Sequence, residues 1–573
     1  MTIYVCGVTR YSITAFVFAL VLAAFARGQA PAIPPAQSVR AHNGMVVAQE
    51  ARAARIGVEI LDRGGNAVDA AVATGFALAV TYPRAGNLGG GGFMLIHRAR
   101  DNRDTAIDYR ETAPAAATPA MFLDAQGAPD PAKSRDSALA VGVPGTVAGL
   151  ALALATYGSG KFTLADLIAP AIGLARNGFP VEDDVADSLP AVRARLARWP
   201  SAAAIFLDGG DVLHEGDRLI QSDLAETLQA IAKDGPRAFY TGRIAEQIAA
   251  AVRSAGGIMT ADDLARYQAI ERAPVRGSYR GYDVVSMPPP SSGGVALIEM
   301  LNILEGFDLA GLPRAEALHD EIEAMTRAYA DRAVYMGDPD SVQMPIGRLT
   351  SKAYAARLRA RIGPRATPAA DIAAGAPAGN EGRNTTHFSV IDRDGNAVSN
   401  TYTLNFSYGL GLVASGTGVL LNNELDDFTA KPGTANAYGL LGFNANLPGP
   451  NKRPLSSMTP TIVLKDGKPF LVTGSPGGSR IITAVLQVIV NAIDFRMPIA
   501  EAVGAPRLHQ QWMPEQVFAE PGFDAAALDA LKARGHTIAP TAPHTAANSI
   551  EVTTEGYVGA ADRRTRGSLA AGY

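Results

Sequence analysis

Cysteine is nearly absent from this sequence: Cys6 is the single one in 573 residues. Because Cys6 lies in a leader-like N-terminal segment, the remaining chain has no thiol for a nucleophile, a thiolate metal site or a disulfide. The eight histidines are scattered, and none forms an HExxH pair, which argues against a catalytic metal. We therefore expect no metal and no cofactor, although carboxylate-only calcium sites remain compatible with the sequence.

A strong excess of either charge is also absent. Charged residues make up 18% of the chain and apolar residues 47%, with a formal net charge of −4. This composition is typical of a globular protein, and it predicts no nucleic-acid partner and no attraction to an anionic membrane. At 573 residues the chain is longer than one ordinary domain and can bury a large core.

Long hydrophobic runs are absent beyond the N-terminus. There, Arg10 precedes the apolar run ITAFVFALVLAAFA (13–26), and a Pro-rich segment follows. This pattern, with an Ala-x-Ala site ending at Ala26, is typical of a signal peptide over residues 1–26, cleaved after Ala26 or as late as Ala30. We expect an exported protein, periplasmic or secreted. The alternative is an N-terminal membrane anchor, for which the run is short.

Short apolar runs bounded by glycine-rich turns dominate the first part of the chain. MVVAQ (45–49) and GFMLIHR (92–98) are typical of strands, and NAVDAAVATGFALAV (66–80) is typical of a buried helix. Amphipathic helices dominate residues 160–380. One of them is predicted to be capped by Ser222.

From residue 385 the pattern changes to period-two alternation. Asp394-Gly395 and Asp466-Gly467 each stand between two alternating runs, which predicts two β-hairpins. Between the hairpins, residues 428–454 form a long loop rich in Gly, Pro and Asn, and loops of this length are usually functional or disordered. The segment 373–383, just before the change, has the composition of a linker and is expected to be exposed.

Thr385 stands where this linker meets the first alternating strand. A threonine hydroxyl needs a base before it can attack, and an N-terminal threonine has its own α-amine, whose pKa of about 7.7–8 suits that task. Thr385 reaches that state only if the Asn384–Thr385 bond is cut. Taken alone the pattern is weak, because Thr-Thr at a strand start also reflects β-propensity. His387 is interpreted as structural, since the amine makes a histidine base unnecessary.

Ordered motifs lie on both sides of Thr385. Downstream they are THFSV (386–390), GNAVSNTYTLN (395–405), Tyr408-Gly409, LLNNELDDF (420–428), PNKRPLSSMTPTIV (450–463), VTGSPGGSRI (472–481) and the terminal AGY. Upstream they are GGNAVDAAVA (64–73), GNLGGGGFM (86–94), DYRETAP (108–114), GVPGTVAGL (142–150) and PPPSSGG (288–294). In this order they resemble the γ-glutamyltransferases (γ-glutamyltranspeptidases) of the N-terminal nucleophile hydrolase class. The resemblance covers nearly everything after the leader.

The resemblance implies an α+β fold, the four-layer αββα sandwich of the N-terminal nucleophile hydrolases. It also implies that the precursor cleaves itself between Asn384 and Thr385. A large subunit (27–384) and a small subunit (385–573) would then share one core as a heterodimer.

The resemblance also assigns the catalytic residues. Thr385 would be the nucleophile in both self-cleavage and catalysis. Thr403, on the partner strand of the hairpin, would hydrogen-bond and orient the Thr385 hydroxyl; a plain cross-strand Thr–Thr pair is the alternative. Gly477 and Gly478 would direct backbone N–H groups at a developing oxyanion, for which an ordinary turn is the alternative.

A γ-glutamyl substrate has a free α-carboxylate and a free α-ammonium, so its site needs opposite charges on its two sides. By resemblance, Arg110 would bind the carboxylate with help from Ser456 and Ser457. The residues that would receive the ammonium are Asn405, Glu424 and Asp427. The aromatic ring of Tyr438, in the loop 428–454, would close the pocket. Without the resemblance, Arg110 would simply pair with Glu111, and the acids would lie in an exposed loop.

The activity implied is that of a γ-glutamyltransferase and glutathione hydrolase working by double displacement. A γ-glutamyl ester on Thr385 would form from glutathione or a similar compound and pass to water, an amino acid or a dipeptide. One alternative is an acylase of the cephalosporin (glutaryl) type on the same fold, but glutaryl lacks the α-ammonium that an intact acidic set would bind. The other is an inert secreted binding protein, which would require a broken nucleophile or oxyanion set; neither is broken.

Overall fold

Two seven-stranded antiparallel sheets lie at the centre of the computed structural model, which describes residues 33–372 and 385–573. In spatial order, the first sheet consists of Gln37–Ala41, Gly556–Ala561, Asn548–Thr553, Lys468–Thr473, Thr461–Lys465, Tyr282–Ser286 and Val275–Tyr279. The second consists of Leu569–Gly572, Met45–Ala48, Thr386–Ile391, Ala397–Thr403, Gly91–Arg98, Arg103–Tyr109 and Ile270–Arg272. The predicted signal peptide, the linker 373–383 and Asn384 lie outside the described residues.

Smaller strand pairings stand apart from these sheets. They are Phe179–Pro180 with Arg218–Leu219, Leu207–Asp208 with Asp211–Val212, Val413–Ala414 with Val419–Leu420, Thr434–Ala435 with Leu441–Gly442, and the trio Leu508–His509, Val517–Ala519 and Ile538–Pro540. The pairing of Thr434–Ala435 with Leu441–Gly442 lies inside the predicted long loop 428–454. This loop is therefore partly ordered by its own backbone hydrogen bonds.

More of the described residues lie in helices than in strands. The longer α-helices are Ala51–Asp62, Ala67–Thr81, Thr146–Tyr157, Leu164–Asn177, Asp183–Ala197, Ser222–Asp234, Arg243–Ser254, Gly293–Leu304, Arg314–Tyr335, Lys352–Arg359, Ile481–Ile493 and Ala525–Ala533. The shorter ones are Pro131–Arg135, Pro200–Phe206, Arg237–Tyr240, Ala261–Arg266, Ile346–Leu349, Ala369–Ile372 and Ile499–Gly504. The 3-10 turns are Ala99–Asp101, Ala138–Ala140, Glu424–Asp427, Asn444–Asn446 and Gly478–Arg480. Among the described residues, none of these helices is both long enough and apolar enough to span a membrane.

The inner core lies between the two sheets. Val47 and Phe93 from the second sheet pack in one cluster with Ile462 and Ile550 from the first, and all four are fully buried. Because successive side chains of a strand point to opposite faces, the alternate residues of the same strands face the helices outside. The period-two alternation noted from residue 385 thus contributes to two separate hydrophobic layers.

Helices cover the outer face of each sheet. Ala51–Asp62 and Ala67–Thr81 pack on the second sheet, whereas Gly293–Leu304 packs on the first, with Ile481–Ile493 beside it. The order of layers is helix, sheet, sheet, helix. The α+β four-layer αββα sandwich is therefore confirmed.

The two predicted subunits share both sheets. In the second sheet, Thr386–Ile391 lies between Met45–Ala48 and Ala397–Thr403, and the latter pairs in turn with Gly91–Arg98. Strands from before and after residue 384 are hydrogen-bonded side by side. A cut at that residue would therefore leave two chains that cannot separate without opening the core.

Local signals located the elements to within one or two residues. The helix predicted at 66–80 is Ala67–Thr81, and the Asn66 side chain caps it by accepting from backbone N–H groups. Both hairpins form at the predicted turns. The predicted capping by Ser222 is wrong, because Gln221 occupies the cap position and Ser222 is the first helical residue.

Candidate active site

One cavity collects nearly all the residues singled out from the sequence. The predicted residues that line it are Arg110, Thr385, Thr403, Asn405, Glu424, Asp427, Tyr438, Ser456, Ser457 and Gly478. They come from both parts of the chain and from strand ends, a 3-10 turn and loops. Gly477 is adjacent to this lining, and Asn384 lies outside the described residues.

The hairpin around Asp394-Gly395 positions the threonines. Thr386 is opposite Tyr402 in the register of the two strands, and one further step places Thr385 opposite Thr403. Both threonines are almost completely buried, with 6% and 3% of their surfaces exposed, yet both line the cavity. The tight turn therefore places Thr403 across the hairpin from Thr385, and both residues line one cavity.

A buried cluster of charges forms a second wall of the cavity. Arg110 directly follows the strand Arg103–Tyr109, and its side chain is fully buried. Its Nη1 donates to Glu424 Oε1, and its Nη2 donates to Asp427 Oδ2 at 2.6 Å. Its Nε donates to the carbonyl oxygen of Pro454 at 3.1 Å. The 3-10 turn Glu424–Asp427 aims both acids at the one guanidinium.

This direct contact differs from the expected arrangement, in which Arg110 and the acids stand on two sides of a substrate. A buried guanidinium is stabilised by carboxylate partners, and the turn supplies them. Arg110 also lies 3.7 Å from Glu111, so the alternative pairing is present as well. The acids are not in an exposed loop, because the side chains of Glu424 and Asp427 are 1% and 12% exposed.

Burial disfavours the ionised form of the carboxyl groups in this wall. Desolvation raises the pKa of Glu424 well above its usual range, and it raises the pKa of Asp427 as well, in both cases against the attraction of Arg110. Burial raises the pKa of Glu111 to about 7. Among the described residues, Glu424 Oε2 has no hydrogen-bond donor. Arg110 is thus the shared ion-pair partner of three carboxyl groups. An added ammonium group would stabilise the ionised form of these carboxyl groups.

The two serines line the cavity but do not hydrogen-bond to Arg110. Ser456 Oγ accepts from the backbone N–H of Met458 at 3.0 Å, and Ser457 Oγ accepts from Arg332 Nη2 at 3.2 Å. Arg332 was missed by the sequence reasoning. It lies on the buried face of the helix Arg314–Tyr335, where arginine is rarely found, but this burial is visible only in the folded chain.

Gly477 and Gly478 lie just before the buried helix Ile481–Ile493. Their φ angles are 130° and 57°. The backbone of a residue other than glycine would be strained at these values. A Cβ on Gly478 would stand 2.4 Å from the ring of Tyr438. Within the described chain, no protein group accepts a hydrogen bond from either glycine N–H. Both glycines precede the N-terminal end of the following helix, where negative charge is favoured.

Tyr438 lines the cavity from the long loop. Its hydroxyl contacts the side-chain oxygen of Asn405 and lies 3.0 Å from the backbone oxygen of the same residue. Asn405 Nδ2 in turn donates to the carbonyl oxygen of Asn423 at 2.9 Å. The ring of Tyr438 is 3% exposed. These hydrogen bonds tie the long loop to Asn405 and Asn423.

His387 is near Thr385 in sequence but is used elsewhere. Its ring nitrogens lie 2.8 Å from Thr401 Oγ1 and 3.1 Å from Ser389 Oγ, and the residue is fully buried. Burial lowers the pKa of His387 to about 3. A neutral histidine held between two hydroxyls fits the structural interpretation.

One group in the described part of the chain has the chemistry of a metal site. His319, Glu323 and His536 are buried with their ligand atoms within 4.8 Å of one another. These side chains already have hydrogen-bond partners. His319 Nδ1 lies 2.7 Å from His536 Nε2, and Glu323 Oε2 accepts from Arg327 Nη1 at 2.6 Å. This group lies outside the cavity and plays no part in its chemistry.

Comparison with known proteins covers almost the whole chain. A family profile described as Gamma-glutamyltranspeptidase matches residues 53–572. The chain is 52% identical to the "Glutathione hydrolase proenzyme" of Escherichia coli strain K12, over 96% of this chain and 97% of that protein. Among solved structures it is similar to cephalosporin acylase from Bacillus halodurans, with a TM-score of 0.83, 28% identity, and coverage of 95% of this chain and 98% of that one. It is also similar to the Helicobacter pylori gamma-glutamyltranspeptidase, with a TM-score of 0.53, 48% identity, and coverage of 54% of this chain and 89% of that one.

Proposed function

Since this chain belongs to the gamma-glutamyltranspeptidase family, we propose that it is a γ-glutamyltransferase and glutathione hydrolase that activates itself by cleavage before Thr385. The products are a large subunit, 27–384, and a small subunit, 385–573, which stay together as a heterodimer. The name of the Escherichia coli relative, a proenzyme, supports a processed protein.

One observation carries this proposal. Thr385 shares a single cavity with a buried guanidinium and two buried carboxyl groups. A γ-glutamyl group has an α-carboxylate and an α-ammonium on one carbon, so it can exchange partners with the ion pairs that Arg110 forms in the free site. The substrate carboxylate pairs with the guanidinium of Arg110, and the substrate ammonium pairs with Glu424 and Asp427.

Cleavage comes first. The Thr385 hydroxyl attacks the carbonyl carbon of Asn384, and the peptide bond becomes an ester. Water hydrolyses this ester, leaving a carboxylate on Asn384 and a free α-amine on Thr385. That amine has an ordinary pKa of about 7.7–8, so near neutral pH it can act as a base.

Acylation follows. The α-amine takes the proton of the Thr385 hydroxyl as the oxygen attacks the γ-amide carbonyl of glutathione. Gly477 and Gly478 donate backbone N–H groups to the oxyanion, and Thr403 orients the nucleophile. The C–N bond breaks, the leaving amine takes the proton, and a γ-glutamyl ester remains on Thr385. Tyr438 and its loop exclude water from this step.

Deacylation reverses these roles. Water attacking the ester gives glutamate, and the amino group of an amino acid or dipeptide gives a new γ-glutamyl peptide. Thr385 recovers its proton through the amine. No metal or cofactor takes part in these steps.

We also propose export to the periplasm, with secretion as the alternative. This rests on the leader-like sequence of residues 1–26. A fusion of residues 1–30 to a reporter that is active only outside the cytoplasm tests it. An inactive reporter would contradict export.

The deciding experiment is a denaturing gel with N-terminal sequencing of the purified protein. We expect two bands, the smaller beginning at Thr385, and hydrolysis of a γ-glutamyl anilide. A single uncut chain that hydrolyses the anilide would overturn the mechanism. Two bands without γ-glutamyl activity would favour an inert binding protein.

An acylase of the cephalosporin type is the second candidate, because one similar structure has that name. A glutaryl group lacks the α-ammonium, so it would leave Glu424 and Asp427 buried without a new partner. We therefore expect the γ-glutamyl anilide to be hydrolysed faster than the glutaryl anilide. The reverse order would favour the acylase.

A further inference from the structure

Arg332 is a buried charge that makes no direct ion pair within the described part of the chain. It is 5% exposed, on the inner face of the helix Arg314–Tyr335. Its Nε donates to Ser292 Oγ at 2.9 Å and its Nη2 donates to Ser457 Oγ at 3.2 Å. Among the described residues it forms no ion pair, whereas Arg327 on the same helix pairs with Glu323 at 2.6 Å.

This arrangement is costly in the free protein. Burial lowers the pKa of Arg332, which reflects a charged form that has lost its water. Asp427 attracts it from across a small adjoining cavity, but Asp427 already receives Arg110 at 2.6 Å. A buried cation held only by neutral hydroxyls is stabilised when an anion arrives nearby.

The serine beside it is set to donate into the active site. Because Ser457 Oγ accepts from Arg332, its proton must point elsewhere, and no described residue accepts it. Ser456 has the same arrangement, with Oγ accepting from the Met458 N–H. Both hydroxyls line the cavity that contains Thr385. Two hydroxyl donors, one of them polarised by a cation, form a site for a carboxylate.

We propose that Arg332 is a positioning residue for the α-carboxylate of the γ-glutamyl donor. It fixes the Ser457 hydroxyl as a donor and places a second positive charge behind it. This second charge compensates for the fact that Arg110 is shared with Glu424 and Asp427. The inference rests on the proposed function, since it needs a donor that has this carboxylate.

The test compares two donors in three variants. The γ-glutamyl anilide has the α-carboxylate, and the 4-aminobutanoyl anilide lacks it but retains the ammonium. The variants are Arg332→Met, Arg332→Lys and, as a matched control on the same helix, Arg327→Met. Where the second donor reacts too slowly, the inhibition constants of glutamate and 4-aminobutyrate supply the same comparison.

We expect Arg332→Met to lower kcat/KM for the γ-glutamyl anilide by about 10- to 100-fold, the range of one hydrogen bond to a charged group. The loss should appear mainly in KM, because the carboxylate is remote from the reacting bond. The kcat/KM for the 4-aminobutanoyl anilide should change little. The ratio of the two kcat/KM values, which measures the preference for a donor with the carboxylate, should therefore decrease. Arg332→Lys should retain part of that preference, since it retains the charge.

Two further readouts separate this role from a structural one. Processing into two bands should persist in Arg332→Met, and its thermal midpoint should stay level or rise, because an unpaired buried charge is removed. Arg327→Met should lower the midpoint and leave the donor preference unchanged. Equal losses for both donors, or a lower midpoint with an unchanged preference, would overturn the inference. A wild-type protein inactive on γ-glutamyl donors would overturn the proposed function instead.

Discussion

The two walls of the cavity are built in different ways. The wall with Thr385 and Thr403 comes from one hairpin, closed by the turn Asp394-Gly395. The charged wall joins Arg110 to Glu424, 314 residues further along the chain. The first is neutral and local, and the second is charged and depends on the whole fold. Damage to the first should therefore stop chemistry, whereas damage to the second should affect binding and stability together.

The largest effect is expected for Thr385→Ala. It removes the hydroxyl that is proposed to act in both cleavage and catalysis, so the protein should remain one chain and lose activity by about four orders of magnitude or more. A gel and the γ-glutamyl anilide assay measure this. Thr386→Ala is the matched control, because its side chain points to the other strand face and its Oγ1 has no partner among the described residues. If Thr385→Ala were still cut at the same bond, the hairpin would not be the nucleophilic wall.

The charged wall is tested by Arg110→Met. Three carboxyl groups would lose their cation, so we expect the free energy of unfolding to fall by about 3–5 kcal/mol, the usual cost of breaking a buried pair. The kcat/KM for γ-glutamyl donors should fall about 1000-fold. Calorimetry and steady-state kinetics measure the two losses.

A double variant separates those losses. Adding Asp427→Asn to Arg110→Met removes one stranded acid, so it should restore part of the stability but none of the activity. Activity that returned together with stability would show that Arg110 is only structural.

The sequence reasoning succeeded where the structure is local. The turn Asp394-Gly395 identifies its hairpin through the backbone geometry that these residues favour, and the continuous apolar run at 66–80 identifies its buried helix. The order of strands within each sheet could not be read from periodicity, because it depends on pairings between distant segments. Family resemblance, not spacing, brought the two walls together.

The missed features are electrostatic. The direct contact of Arg110 with Glu424 and Asp427 depends on their burial, and burial becomes visible only in the folded chain. Arg332 was missed because the sequence of a helix does not indicate which hydroxyl groups of distant segments its buried face contacts. Both cases concern the charged wall, where long-range packing decides the contacts.

A smaller effect within the neutral wall is expected for Thr403→Val. The substitution removes a hydroxyl that accepts from the Asn405 N–H at 2.9 Å and that is proposed to orient Thr385. We expect kcat to fall about 10- to 100-fold with little change in KM, because orientation matters most in the transition state. Thr403→Ser should recover most of the rate. If Thr403→Val raised KM instead, the residue would belong functionally to the charged wall.

The smallest effect on chemistry is expected for His387→Gln, although its effect on stability should depend on pH. Burial lowers the pKa of His387 to about 3, whereas an unfolded histidine has a pKa of about 6.5. Between these values the unfolded state binds a proton that the folded state does not. The wild type therefore loses stability as pH falls from about 6.5, by up to about 1.4 kcal/mol per pH unit from this residue. The variant should lose less, a difference that calorimetry at pH 7, 6 and 5 measures.

The same variant tests which group is the base. His387 is neutral and is held between Thr401 and Ser389, so the rise of kcat/KM with pH should come from the α-amine of Thr385, near pH 7.7–8. His387→Gln should leave the midpoint of that rise unchanged, even if the protein is less stable. A midpoint that moved or vanished would identify the histidine as the base, and the neutral wall would then need no N-terminal threonine.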